Sequence, residues 1–226
     1  MMKATTSFHF LDYLANGIQD ERLPSLEALS AEHGISASVL REQLQVARAL
    51  GLVEVRPRTG IRRLPYSFAP AVRQSLFYAM ARDAHSFDQF ADVRRHLERA
   101  YWSEAVEKLT QEDIAELRQL VTRAQQMLSD TPIQVPHSEH RQLHLAIYQH
   151  VANPFVIGLL EAYWSAYEAV GLNRYTGIDY LEQVWAVHDQ IVAAIAAGDF
   201  DLGHRLLNDH FALIEQLPGR PAKESR

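Results

Sequence analysis

The stretch LPSLEALSAEHGISASVLREQLQVARALGLVEVRPRTG, residues 23–60, decides the architecture of the first part of the chain. Leu23-Pro24-Ser25 interrupts what precedes it and offers Ser25 as the N-cap of a short helix that turns Leu26, Ala28 and Leu29 inward. Gly34 stands where that helix ends in the left-handed conformation. Ser36 caps another helix, Ala37 to Leu50, with Leu40, Leu44, Ala47 and Leu50 on one face and Gly51 as terminator. Upstream, Phe8, Leu11, Leu14 and Ile18 recur at helical spacing, with Gly17 near the end of the run. Two short helices joined by a tight glycine-containing turn form a helix-turn-helix. After Gly51 the period drops to that of a strand. Val53 and Val55 alternate with Glu54 and Arg56, Arg56-Pro57-Arg58-Thr59-Gly60 turns the chain, and Ile61 to Leu64 returns. Residues 1–66 are therefore expected to form a winged helix-turn-helix.

Of the 226 residues, 47% are apolar and 22% charged, the profile of a chain that folds around a core. Cysteine is absent, which excludes disulfides, thiolate zinc sites and cysteine nucleophiles together. No apolar run approaches the roughly 18–20 residues of a membrane span. Met1-Met2-Lys3-Ala4-Thr5-Thr6 has no signal-type apolar segment behind it. A cytoplasmic location without a membrane partner is the expectation. The net charge of −6 is unevenly spread: residues 1–66 sum to +1 and the rest to −7. Arg56, Arg58, Arg62 and Arg63 cluster within eight residues, a basic wing beside a reading helix.

Leu23-Pro24-Ser25, Glu32-His33-Gly34-Ile35-Ser36, Leu40-Arg41-Glu42, Gly51-Leu52-Val53 and Arg58-Thr59-Gly60 together resemble the DNA-binding domain of GntR-family bacterial transcription regulators. The resemblance implies operator DNA as partner. Ser36 to Arg41, Ser38 included, would enter the major groove, and the Gly60 turn would lie along the minor groove. Ser25 and Arg58 complete the expected contacts. The chemistry agrees, since a helix N-terminus favours phosphate and arginine pairs bidentately with guanine. Many members place an arginine after the capping residue of the recognition helix, where this chain has Ala37. Some place another in the preceding helix, where it has Glu27. Those departures imply lower affinity or a changed operator, and a dimer compensates by adding phosphate contacts across half-sites.

Beyond a proline-bounded linker (67–74), helical periodicity runs nearly to Leu217, and residues 218–226 form a tail. Expected helices span about Phe87–Lys108, the run after Thr110, about Pro136–Val151, the run from Asn153-Pro154, Tyr180–Ala197 and Asp201–Gln216. The run after Thr110 turns Ile114, Leu117, Leu120, Val121 and Leu128 inward. The class is mainly α, with an antiparallel bundle of six or seven helices over 75–217. Seven of eleven histidines lie between His137 and His210. His140 and His144, four apart, share a helix face, and His188 and His210 fall on the last two helices. Neutral imidazoles from three helices meeting in a core would suit Zn²⁺ or Ni²⁺. The plain alternative is four hydrogen-bonded histidines without metal.

Phe90-Ala91-Asp92-Val93-Arg94-Arg95-His96-Leu97-Glu98, the segment from His144-Leu145-Ala146-Ile147 to Ala152-Asn153-Pro154, and the His188 to His210 spacing resemble the effector domain of the FadR subgroup of the same family. That resemblance implies a metal held by three histidines, matched by His144, His188 and His210. His140 stands at the position of the usual aspartate ligand. Arg94 matches an arginine that reaches acidic effectors, and its alternative is an ion pair with Glu98 one turn on. His137, His150 and His204 match no ligand position, and Trp102, Trp164 and Trp185 are expected to fill core. The function implied is a homodimeric, ligand-responsive repressor sensing a small carboxylate. A metal-sensing regulator shares the fold, and a helical-bundle metallohydrolase is the alternative of another class. Arg141 follows His140 where a His-Glu-x-x-His enzyme keeps its base.

Overall fold

Serine caps and glycine stops set the first helices. The computed structural model describes residues 9–16, 21–57, 60–171 and 177–215, and the chain divides into two units, Met1–Ser75 and Leu76–Arg226. In the first unit α1 (Phe10–Asn16), α2 (Leu26–His33) and α3 (Ala37–Ala49) precede β1 (Val53–Arg56) and β2 (Gly60–Arg63). Ser25 Oγ accepts the Ala28 N–H at 3.2 Å and Ser36 Oγ the Val39 N–H at 3.3 Å. Gly34 ends α2 at φ 67°. β1 and β2 pair antiparallel with Val53 opposite Arg63 and Val55 opposite Ile61. The Leu23 N–H donates to the Ile61 carbonyl at 2.9 Å, which ties the entry to α2 onto the hairpin.

Phe10, Leu14, Leu29, Leu40, Leu44, Ala47, Val53 and Ile61 close this small core. Ala28 is exposed. It lies about 100° around the helix from Leu29 and misses the narrow stripe that an eight-residue helix buries. Phe10, fully buried, anchors α1, while Phe8, Ile18, Arg58 and Thr59 lie outside the described residues. α4 (Ala69–Arg82) begins inside the stretch expected as linker. Pro70 is its second residue, a first-turn position where the missing N–H is no loss. Gly51, at φ 71°, lets Pro70 approach so closely that a Cβ there would stand 2.5 Å from the ring.

The second unit holds α5 (Ser86–Ala100), α6 (Trp102–Val106), α7 (Gln111–Ser129), α8 (His137–Tyr148), α9 (Pro154–Gly171), α10 (Ile178–Ala197) and α11 (Phe200–Glu215), beside the end of α4. α10 packs on α7 and α11, α8 on α7 and α9, and α9 on α5. Thr110 and Asp113 form a reciprocal capping box at the start of α7. Ile114, Leu117, Leu120, Val121 and Leu128 of α7 are all buried in the main core. The segment expected as one helix over Phe87–Lys108 is two, broken at Tyr101. There the Tyr148 hydroxyl donates at 2.8 Å to the Glu98 carbonyl, the group an unbroken helix would offer to the Trp102 N–H. A separate donor of the same residue, the Trp102 indole N–H, gives to the Phe200 carbonyl at 2.9 Å. Among the described residues, no helix is long and apolar enough to cross a membrane.

Gly203 of α11 lies under Trp102: a Cβ there would stand 2.6 Å from the indole. Gly203→Ala should therefore lower the melting temperature. Displacing a buried ring costs about 1–3 kcal/mol, and alanine's better helix propensity returns at most about 1 kcal/mol. A thermal melt with a raised midpoint would show that the ring yields freely.

Candidate metal and effector site

Two turns of α8 present His140 and His144 on one face, and α10 and α11 bring His188 and His210 against them. The structure brings these four side chains together. Each offers a ring nitrogen, and the four nitrogens lie within 4.8 Å of one another. All four are buried, from 8% exposed at His140 to none at His210. The His188 and His210 ring centres stand 4.3 Å apart, and those of His140 and His188 4.8 Å. His144 Nε2 is 3.2 Å from His188 Nε2. Among the described residues, His140 Nε2, His188 Nδ1 and both nitrogens of His210 find no hydrogen-bond partner. Buried polar atoms are rarely left in that state. Four converging imidazoles, three of them with an unpaired nitrogen, match the donor set of Zn²⁺ or Ni²⁺.

Burial drives the electrostatics. Loss of solvent holds all four histidines well below the ordinary imidazole range, His188 at about 3. The Arg94 guanidinium adds to the effect and is the second cause at His144 and His188. The rings are neutral, the form that binds metal. Trp164 and Trp185 fill core as expected, and they also wall the cluster, with ring centres 4.8 Å from His140 and 4.9 Å from His188.

Arg94 and Glu98, one turn apart in α5, are 3% and 0% exposed. Arg94 Nε donates to Glu98 Oε1 at 2.7 Å and Nη2 to Oε2 at 3.2 Å. Nη1 reaches the Tyr163 hydroxyl at 3.3 Å. Nη2 also lies 2.9 Å from His144 Nδ1, and Glu98 Oε2 lies 3.3 Å from the same atom. The guanidinium sits over the Tyr163 and Trp164 rings, 4.7 Å from each centre. Arg94 thus stands at the cluster and is ion-paired with Glu98 at once. Burial pushes the Glu98 carboxyl upward, and the forked guanidinium opposes that. Glu98 is the site residue that spacing alone undervalued. Its i, i+4 relation to Arg94 is legible in the sequence, but the burial that changes its weight is not.

His150 pairs with Asp113 at 2.8 Å and His204 stacks on Trp102, neither of them in the cluster. In the first unit Ser25 and Ser36 cap helices. Ser38 and Arg41 lie on the exposed side of α3, with Val39, 41% exposed, between them. Gly60 opens β2 at φ 80°, Arg56 pairs with Glu54 and Arg62 with Glu21. The Glu27 carboxyl is held low by the α2 N-terminal backbone, by the Ser25 hydroxyl and, more weakly, by Arg41. Glu27 therefore lies within electrostatic reach of Arg41.

Residues 89–213 match the FCD domain family. The Uxu operon transcriptional regulator of Escherichia coli is 26% identical over 201 residues, covering 87% of this chain and 77% of that protein. The HTH-type transcriptional regulator LutR of Bacillus subtilis is 23% identical over 205 residues, covering 87% and 91%. Among solved structures, a Streptococcus agalactiae GntR protein shares the fold, with a TM-score of 0.66 and 15% identity over 91% of this chain and 94% of that one.

The buried imidazoles make metal-free stability dependent on pH. Unfolded histidines protonate below about 6.5, whereas the folded ones stay neutral far lower, His188 to about 3. Across that window the unfolded state binds more protons, so stability falls as pH falls, by up to about 1.4 kcal/mol per pH unit for each histidine. Denaturant titrations of metal-stripped protein between pH 7 and 4 should show the decline, and His188→Asn should make it shallower by about one histidine. An unchanged slope in the variant would contradict the assignment.

Proposed function

The chain belongs to the FCD-domain family, as a GntR-type DNA-binding transcription regulator of the FadR kind, and from that premise we propose that it grips operator DNA as a homodimer and alters that grip when a small carboxylate reaches the histidine centre. The observation that carries this reading is the convergence of four buried imidazoles, three of them with a ring nitrogen lacking a partner among the described residues, beside a buried arginine. His144, His188 and His210, with His140 as fourth, would hold one Zn²⁺ or Ni²⁺ per subunit. When bound, that ion supplies a Lewis-acid point that orients an oxyanion. Arg94 offers the planar donors a carboxylate prefers. Trp164 and Trp185 exclude water and strengthen both interactions. The effector shifts operator affinity only by binding one arrangement of the dimer more tightly than another.

On the DNA side, the exposed start of α3 presents Ser38, Val39 and Arg41 to the major groove, and the turn at Gly60 follows the minor groove. The apolar Val39 suits a thymine methyl, and Arg41 suits guanine. Glu27 beside Arg41 works against phosphate.

Metal analysis of freshly purified protein tests the centre: about one Zn²⁺ or Ni²⁺ per subunit is expected. His188→Ala should lose the metal and the effector response while keeping part of the effector-free DNA binding. A stoichiometry near zero that added Zn²⁺ or Ni²⁺ does not change, with or without small carboxylates present, would return the histidines to a purely structural role.

On a site selected from random DNA, Arg41→Ala should cost about 1–3 kcal/mol if the residue reads a base. Glu27→Gln should instead tighten binding to all sequences at fixed salt. Gel-shift or anisotropy titrations measure both, and equal affinity of Glu27→Gln and wild type would remove Glu27 from the interface.

A further inference from the structure

We infer that the histidine centre takes up its metal together with a doubly charged small anion, a dicarboxylate, and holds neither well without the other. The inference rests on the metal reading above and goes beyond it in naming the charge of the ligand.

The argument is a count of buried charge. Among the described residues, the buried ionisable side chains are Arg94, Arg95, Glu98, the four histidines and two tyrosines, Tyr148 and Tyr163, whose phenols add no charge. Arg95 is engaged with Asp92 at the edge of α5. Arg94 and Glu98 cancel each other through two hydrogen bonds. The four imidazoles carry no charge. The site is therefore neutral before anything binds, and a divalent cation makes it +2. A centre with thiolate or carboxylate ligands would offset part of that charge; this ligand set offsets none.

Glu98 cannot supply the missing charge. Both its oxygens are committed to Arg94, and Oε2 faces the Nδ1 edge of His144. His144 Nε2 is the nitrogen that points to His188. Were Glu98 assigned to the metal through His144, Arg94 would be left bare and the total would still be +2. The surroundings offer little screening, since Trp164, Trp185 and Phe211 stand against the histidines. Uncompensated charge in such a place is strongly disfavoured. One monoanion leaves +1 and one dianion closes the sum. By linkage, the anion must then raise metal affinity by the same factor as the metal raises anion affinity.

The test measures Ni²⁺ retained by wild-type protein in equilibrium dialysis, at constant ionic strength, with acetate, sulfate, succinate, fumarate or tartrate in turn. At least one dicarboxylate should tighten Ni²⁺ binding tenfold or more relative to acetate, although these anions also draw Ni²⁺ weakly into solution. Calorimetry should find the same dicarboxylate binding to Ni²⁺-loaded protein and failing to bind the stripped protein. Sulfate matching the dicarboxylates would overturn the carboxylate assignment and leave the charge rule standing. His140→Asp adds one negative charge among the ligands. It should bind Ni²⁺ more tightly without any dianion and lose most of the dicarboxylate-over-acetate ratio. Ni²⁺ bound equally well with every anion would overturn the inference while leaving the metal centre intact. No uptake of Ni²⁺ or Zn²⁺ under any anion would overturn both.

Discussion

The ion pair between Arg94 and Glu98 governs where other groups in the helical unit can stand. Two full charges in a water-free interior persist only when they meet each other with good geometry, and neighbouring residues on α5 allow that meeting because the two positions are one turn apart. Once the pair is in place, the rest of the pocket is constrained. Tyr163 and Trp164 of α9 cover the guanidinium with ring faces and a hydroxyl, and Tyr148 of α8 takes the Glu98 carbonyl. The histidines, facing a fixed positive charge and no solvent, can be present only as neutral rings. The neutrality that metal binding would need is thus partly imposed by an arginine that touches one of them.

The short-range rules were the legible part of the fold. A serine cap acts over three residues and a glycine stop over one, so Ser25, Gly34 and Ser36 show their role in the bare sequence, whereas the reciprocal bond between Asp113 and Thr110 emerges only in the structure. Hydrophobic spacing in α7 is long enough for the five large inward residues to be read correctly, while the small, equally buried Ala124 escapes it. Where elements are short or interrupted from outside, the pattern fails. Ala28 belongs to a helix too short to bury a wide stripe, and the break at Tyr101 arises from Tyr148, some fifty residues further along the chain. Pro70 reads as a boundary, although it also serves as a first-turn residue.

The histidine cluster was legible in its members and not in its support. His140 and His144 declare a shared face by spacing, but no local pattern tells that His188 and His210 approach them or that Trp164 and Trp185 close the space. Glu98 shows the same limit. As an exposed i, i+4 partner it would contribute little, and only the packing of α9 and α8 over it turns the same two residues into the electrostatic centre of the unit. In the DNA-binding unit, Glu27 tells a parallel story: its place in sequence marks a departure, and its proximity to Arg41 gives that departure a physical meaning.

Tyr148 follows His144 by the same four residues by which His144 follows His140, so one edge of α8 carries three marks about 6 Å apart. The first two face the histidine cluster, and the third is bonded to the backbone where α5 gives way to α6. A helix is stiff along its axis, so α8 acts as a ruler. Any adjustment that re-aims the imidazoles slides the hydroxyl against the Glu98 carbonyl as well. Trp102 stands just beyond that joint, against Gly203 of α11, the helix that carries His210. The ring of contacts closes on itself, and a sub-ångström change at the ligand nitrogens has a mechanical route around the whole unit.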